Sequence, residues 1–225
     1  MSFKVCTDLH ANPDFAPRLA VDRDRLWNKG HVFQICFLGG SDIQKNRVIE
    51  AANEWLDYAN VYFSWNTLGN TNESHIRIDF RRGRGSWSYV GKDALAQTNP
   101  AAATMNFGWL YDETDDAEFS RVVLHEFGHM LGAIHEHQSP AAGIQWDKPL
   151  LYQYYWQTQS WSNEQVDINI IEKYDGDISN TEFDEESIML YPVEQRFTLN
   201  DFEVGWNTKL SDTDKEFIAE CYPRK

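Results

Sequence analysis

Three histidines and one glutamate lie close together in the middle of the chain. Residues 125–135 have the pattern H-E-x-x-H-x-x-G-x-x-H. His125 and His129 are four residues apart, so on a helix they share one face and can bind one metal ion together. With His135 as a third ligand, the fourth position of a tetrahedral ion stays open to water. That arrangement is typical of a catalytic rather than a structural zinc site.

Glu126 directly follows the first histidine, which places its carboxylate at the edge of the metal site without making it a ligand. A carboxylate at that position can accept a proton from a metal-bound water and later pass it to a leaving amine. Ligands that are all imidazole favour zinc among the common metals. The motif therefore predicts one catalytic zinc ion and hydrolysis by a water that Glu126 activates.

The residues around the motif predict the helix that must carry it. Asp115 and Glu118 form a D-x-x-E pair, which is typical of a capping box at a helix start. Apolar residues then recur at helical spacing, so that one side of the helix should pack into a core; they are Phe119, Val122, Val123, Phe127, Met130 and Leu131. Gly132 is predicted to end the helix with a positive φ, which lets the chain turn and bring His135 back as the third ligand.

A second motif lies downstream, in the segment Ser-Ile-Met-Leu-Tyr-Pro at residues 187–192. Together with the histidine motif it resembles the metzincin zinc peptidases, in which a Met-turn follows the zinc-binding helix. The resemblance implies that Met189 forms an apolar floor beneath the metal.

Within the metzincins, the chain resembles the astacin family. His135 is followed by Glu136, and Tyr191 stands two residues after Met189. Residues 85–91, Gly-Ser-Trp-Ser-Tyr-Val-Gly, are similar to the astacin segment G-C-x-S-Y-V-G. The resemblance covers residues 30–222 and is strongest at these motifs.

This resemblance implies a zinc-dependent endopeptidase acting on protein or peptide substrates. In it, Glu126 is the general base and acid, and Tyr191 is a switchable ligand that stabilises the oxyanion. Glu136 is implied to be a buried structural carboxylate, which in mature astacins meets the new N-terminal amine. The implied zinc ligands are His125, His129 and His135.

Two departures from the astacin pattern concern cysteine and histidine. Astacins have two disulfides, whereas this chain has 3 cysteines and carries Ser86 at an expected cysteine position. The odd count predicts no disulfide framework. Cys6 is interpreted as a buried or free thiol, or alternatively as a thiolate that caps the zinc in a latent form. Leu190 stands where astacins often have a histidine before the tyrosine.

The remaining pattern predicts an α+β fold. Apolar runs and alternation indicate strands over residues 32–38, 61–65, 76–80 and 105–110, with a helix over residues 42–58. The last of these strands is predicted to be the sheet edge to which an extended substrate adds. Downstream, short helices are expected over residues 149–156 and 212–221, the second of them capped by Ser211.

We therefore expect a single metzincin-type catalytic domain over residues 1–225, with its cleft between two lobes. The upper lobe, residues 1–135, should hold a twisted mixed sheet with two long helices. The lower lobe, residues 136–225, should be largely irregular with a C-terminal helix. Residues 1–30 are expected to form an irregular or partly helical N-terminal extension.

Composition bounds the partners and the location. The net charge of −15 argues against nucleic acid and anionic membranes as partners, and we expect a monomer. The sequence has neither an apolar signal segment after Met1 nor a run long enough to span a bilayer. Secretion is therefore predicted only if this is a processed form, and a cytoplasmic location otherwise.

Two other readings compete with a peptidase. A latent or non-catalytic zinc-binding recognition module could share this fold, although the intact Glu126 argues against loss of activity. A carbohydrate-binding face could be built from aromatic residues such as Tyr155, Trp156 and Trp161, whose alternative role is packing within the lower lobe. A short basic segment, Arg81 to Arg84, could favour acidic substrate side chains or be a solvated loop.

Overall fold

The computed structural model describes residues 6–9, 25–66, 71–173 and 182–224, and for residues 6–9 only the backbone. Six strands form one mixed sheet. They are β1 (Cys6–Leu9), β2 (Val32–Phe37), β3 (Tyr62–Asn66), β4 (Ile76–Asp79), β5 (Ser86–Tyr89) and β6 (Met105–Phe107). The helices are α1 (Asp42–Ala52), α2 (Asp116–Met130), α3 (Lys148–Gln159), α4 (Asn163–Val166) and α5 (Asp212–Cys221).

The strands follow the order β1-β5-β6-β4-β2-β3 across the sheet. Strands β3, β2, β4 and β6 run parallel to one another, with Ile35 opposite Ile76 and Ile78 opposite Met105. Strand β5 runs antiparallel to β6, and β1 lies parallel to β5 on its outer side. The mixed sheet and the two long helices α1 and α2 confirm the predicted α+β fold.

The prediction that residues 105–110 form the edge strand of the sheet is wrong. Strand β6 lies between β4 and β5, and its residues Met105, Asn106 and Phe107 are all buried. The apolar run before α2 is therefore an interior strand, because it is paired on both sides. The next strand outward from β6 is β5. Its residues were noted in the sequence only for their similarity to an astacin segment and were not predicted to form a strand.

The N-terminal segment also differs from expectation. Residues 6–9 form β1, where an irregular or partly helical segment was predicted. Strand β1 forms by backbone pairing with all four residues of β5. The sequence of residues 6–9 alone does not predict this pairing, because it depends on a distant segment. Residues 10–24 of the predicted extension lie outside the described residues.

One core joins the sheet to the helices above the site. It includes Phe33 and Ile78 from the sheet, Trp55 just after α1, and Phe127 from α2. The same core continues to Met189, so the upper lobe and the Met-turn are packed as one body. Burial of large side chains in this core is the main source of its stability.

A second core forms the lower lobe around α3, α4 and the π-helical turn Asp167–Ile171. Its buried members are Leu151, Tyr155, Val166, Ile170, Tyr191 and Phe197. Tyr155 is stacked on Trp161 with ring centroids 5.1 Å apart, so this aromatic cluster packs the lobe. Helix α3 exceeds its predicted length, whereas α5 covers residues 212–221 as predicted, with Ser211 as its cap. None of the described helices has the length and apolar character needed to cross a membrane.

Candidate active site

Helix α2 carries the first two histidines, and its start is set by Asp115. The Asp115 carboxylate accepts hydrogen bonds from the backbone N–H groups of Ala117 at 3.0 Å and Glu118 at 3.4 Å. Glu118 does not complete the predicted capping box. Its carboxylate instead accepts from Trp109 Nε1 at 3.0 Å and Arg121 Nε at 2.9 Å, because those donors lie beside the helix start.

The helix ends in a turn that returns the chain toward the site. Gly132 has a φ of +104°. Its N–H donates to His129 O at 2.8 Å, while the N–H of Ala133 donates to Gly128 O at 2.9 Å. This pair of bonds is the Schellman arrangement, which needs a left-handed residue at the helix end. The turn thereby directs residues 133–135 back beneath α2.

Two side chains from distant parts of the chain hold the end of the helix. Trp27 Nε1 donates to Met130 O at 2.9 Å, and Tyr222 OH donates to Leu131 O at 2.7 Å. These carbonyls have no partner within the helix. The N-terminal and C-terminal segments therefore both support the turn that leads to His135.

The three histidines converge on one point and are all buried. His129 Nε2 lies 3.1 Å from His125 Nε2 and 3.1 Å from His135 Nε2. His125 Nδ1 donates to Ile188 O at 2.8 Å and His129 Nδ1 to Ala133 O at 2.9 Å. Because a carbonyl can only accept, Nδ1 carries the proton in both rings and Nε2 presents its lone pair.

This geometry fits a metal ion. Two nitrogens that each lie about 2.05 Å from a tetrahedral zinc ion are about 3.3 Å apart. His129 Nε2 is close to that distance from both His125 Nε2 and His135 Nε2, and the lone pairs of His125 and His129 face one another. His125, His129 and His135 could therefore hold a metal, and Glu126 lies fully buried next to the first of them.

Met189 lies against α2 on the core side of the site. Its side chain is buried, and a Cβ built on Gly128 would lie 2.4 Å from Met189 Sδ. The carbonyl of Met189 accepts a hydrogen bond from the N–H of Glu136 at 3.1 Å. The Met-turn is thus joined to the helix by packing and to the third histidine's segment by backbone.

Asp214 of α5 fixes the same turn from below, and sequence reasoning missed it. Its carboxylate accepts from Ile188 N at 2.7 Å, Ser187 Oγ at 2.7 Å and Ser211 N at 2.9 Å. Because Ile188 O in turn accepts from His125, this aspartate supports the first histidine through one residue. The only signal in the sequence was the S-x-x-D start of α5, which reads as an ordinary helix cap.

Tyr191 lies beside the histidines with its ring buried. Its centroid is 4.3 Å from that of His135 and 5.7 Å from that of His125. On another side it stacks on His137 at 4.6 Å, with the ring planes 22° apart. His137 is a second residue that sequence reasoning missed, since a histidine outside the motif carries no signal of its own.

Glu136, the residue after the third histidine, is only partly buried. Its carboxylate accepts from Asp184 N at 3.1 Å, and it lines a cavity together with Asp184 and Asp214. Burial raises the pKa of Glu136 to about 7, and the two aspartates add to that rise. The amine expected to meet it belongs to residues outside the described part of the chain.

The cysteine position of the astacin segment is filled by a buried serine. Ser86 Oγ accepts a hydrogen bond from Gly108 N at 3.2 Å, so the hydroxyl is satisfied within the sheet. Within the described part of the chain, neither Cys36 nor Cys221 forms a disulfide. The side chain of Cys6 lies outside the described residues, so its predicted roles stay predictions.

The basic segment after β4 is partly engaged with its neighbours. Arg81 Nε lies 2.6 Å from Asp79 Oδ2, and the guanidinium of Arg82 sits 4.6 Å above the ring of Tyr111. Arg84 is exposed. All three arginines are exposed, which fits the interpretation as a solvated loop, and two of them already have a local partner.

Known proteins similar to this chain include peptidases, which agrees with the chemistry of the site. Residues 20–222 match the family described as Astacin, a family of peptidases. The chain is similar to myroilysin in two solved structures. One has a TM-score of 0.85 at 42% identity and covers 91% of this chain and 98% of that chain. The other has a TM-score of 0.74 at 40% identity and covers 99% of this chain and 92% of that chain.

A more distant structure shares the fold. The hatching enzyme zinc-protease HCE-1 from Oryzias latipes, the medaka fish, has a TM-score of 0.63 at 16% identity, covering 91% of this chain and 97% of that chain. A search of curated proteins gave no match. The family match spans the helix, the turn and the Met-turn described above, and this chain therefore belongs to the astacin family and is a zinc endopeptidase.

Proposed function

We propose that this chain binds one zinc ion through His125, His129 and His135 and cleaves internal peptide bonds with Glu126 and Tyr191. The observation that carries the proposal is the convergence of three imidazole Nε2 atoms beside a buried carboxylate. When bound, a zinc ion supplies Lewis acidity, which lowers the pKa of water and polarises a carbonyl oxygen.

Glu126 moves the protons. Its carboxylate takes a proton from the attacking water and delivers it to the amine nitrogen as the peptide bond breaks. Complete burial of Glu126 supports this role, because a carboxylate without competing bulk water exchanges its proton with the reactants. Loss of this single group should remove turnover and leave the three metal ligands in place.

Tyr191 stabilises negative charge on the carbonyl oxygen. A phenol is a hydrogen-bond donor at neutral pH, and donors aimed at a developing oxyanion contribute strongly to catalysis. The closeness of its ring to His135 supports this role. We propose that substrates are proteins or peptides, bound in extended form by a monomeric enzyme.

Strand β5 would accept an extended substrate only with β1 displaced, and β6 cannot accept one because it is paired with both β4 and β5. Backbone pairing of this kind provides affinity with little dependence on sequence. In this structure β1 already pairs with the outer side of β5. Substrate and β1 therefore compete for one set of backbone groups.

The test is digestion of a broad peptide library by zinc-loaded protein. The arms are intact protein, Glu126→Ala, a chelated sample, and Glu220→Ala as a matched loss of one carboxylate on α5. We expect cleavage by the intact protein and by Glu220→Ala only, with zinc still bound to Glu126→Ala. Cleavage by Glu126→Ala at the intact rate would overturn the proposed mechanism.

A further inference from the structure

The ring of Tyr191 has a neighbour that the peptidase mechanism does not use. His137 is buried and its ring stacks on Tyr191 at 4.6 Å, with an interplanar angle of 22°. It also stacks on His135 at 5.2 Å and 29°. His137 therefore touches both the third histidine of the metal site and the tyrosine beside it.

His137 is itself held in place by the lower lobe. Its Nε2 donates to Asn169 O at 3.2 Å, and a carbonyl partner means that this nitrogen carries the proton. Trp146 packs edge-on against the ring at 6.4 Å and 88°. Asn169 lies in the π-helical turn Asp167–Ile171. Such turns are rare in proteins overall, and those that occur are often at functional sites.

The side chain of the next residue, Gln138, strengthens this attachment. Gln138 Nε2 donates to Ile168 O at 2.7 Å and to Glu172 O at 3.0 Å. The segment after the third histidine is thus anchored to one turn by two side chains. Only one of the two, His137, offers a ring face to the tyrosine.

We propose that His137 is a positioning residue for Tyr191. Its ring, packed against His135 and Trp146, restricts the tyrosine to the stacked arrangement beside His135 from which the phenol donates to the oxyanion. Because an aromatic stack favours one relative orientation of two rings, it narrows the range that the phenol samples. This inference rests on the role proposed above for Tyr191.

The experiment is a double-mutant cycle read as kcat and KM separately. The variants are His137→Leu, Tyr191→Phe and the two combined. Leucine fills a similar volume without a planar face. We expect His137→Leu to lower kcat about 10-fold with KM and zinc content little changed, because misplacement of a reacting group mainly affects the transition state. In the Tyr191→Phe background the same change should have no further effect on kcat.

Two further variants separate stacking from general support. His137→Phe keeps the ring face and loses the N–H donor, and we expect it to recover most of the lost kcat. Gln138→Leu loosens the same turn and leaves the stack, so its kcat should stay near that of the intact enzyme. A loss in Gln138→Leu equal to that in His137→Leu would assign the effect to the turn and overturn the inference.

The cycle also distinguishes which idea fails. Unchanged kcat in Tyr191→Phe would mean that the tyrosine has no part in the reaction, and the proposed role of Tyr191 would fall. A loss in Tyr191→Phe, with an equal fold-loss from His137→Leu in both backgrounds, would leave Tyr191 standing and overturn the positioning role. If His137→Leu does not fold, His137→Phe and Gln138→Leu decide in its place. A low kcat in His137→Phe, or a kcat in Gln138→Leu that differs from that of wild type, would contradict the inference.

Discussion

The sulfur of Met189 occupies the space that a side chain on Gly128 would need. A Cβ at Gly128 would lie 2.4 Å from Met189 Sδ and 3.4 Å from the Trp55 ring. Glycine within a helix is unfavourable by about 1 kcal/mol relative to alanine. Its presence in α2 between the two zinc-binding histidines is therefore explained by the close approach of the Met-turn.

Gly128→Ala should lower stability despite the better helix propensity of alanine. Forcing Met189 aside overpacks the core, which destabilises by about 1–3 kcal/mol. We expect a lower midpoint of denaturant unfolding and weaker zinc retention. Gly205→Ala is the matched control, because nothing lies within 4 Å of its Cβ position. A Gly128→Ala variant as stable as wild type would show that Met189 can repack freely.

Asp214 should affect metal binding although it is not itself one of the three ligands. Asp214→Ala leaves the N–H of Ile188 without its acceptor and loosens the carbonyl that orients His125. Partners that orient metal-binding histidines typically change metal affinity by about 10–100-fold. We expect a loss in that range, measured by competition for zinc with a chelator.

The control for that measurement is Asp212→Ala, on the same helix turn. Asp212 is exposed and its carboxylate bonds to Lys215 Nζ at 2.9 Å. Its removal changes net charge by the same amount and leaves the Met-turn alone. Equal zinc affinity in the two variants would mean that Asp214 acts on the site only through charge.

Two histidines away from the metal site should make stability depend on pH. His31 stacks on Trp27 at 4.6 Å and lies 5.1 Å from His75. Burial lowers the pKa of both, and for His31 the charges of His75 and Lys92 lower it further. Above the ordinary value of 6.5 both states hold these rings neutral. As pH falls below it, the unfolded chain binds protons that the folded chain does not, so the free energy of unfolding decreases.

His31→Phe keeps a ring against Trp27 and removes one titrating group. We expect the free energy of unfolding of the variant minus that of wild type to increase as the pH is lowered from 7.5 to 5.5. Denaturant unfolding of the metal-free proteins at the two pH values measures this difference, because the two proteins differ in no titrating group other than His31. A difference that stays constant with pH would contradict the lowered pKa of His31.

The metal site could be predicted from sequence because its geometry is mostly local. The helical period aligns His125 with His129, and the positive φ of Gly132 returns the chain to His135. The sheet edge could not be predicted, because strand order depends on pairing between distant segments. Asp214 and His137 were missed for the same reason: each acts through a contact with a residue more than twenty positions away.

The pairing of β1 with β5 predicts that the N-terminal strand restricts access of substrate to β5. Cys6–Leu9 are paired in register with Ser86–Tyr89, so the edge that an extended substrate would use is covered along its whole length. Deleting residues 1–9 should expose those backbone groups and lower KM for long peptides, because the substrate no longer competes with a tethered strand. The comparison is a deletion of residues 1–5, which removes none of the paired residues. We expect faster cleavage of a peptide that spans β5 in the first deletion only, and equal rates in both would mean that β1 does not restrict access to this edge.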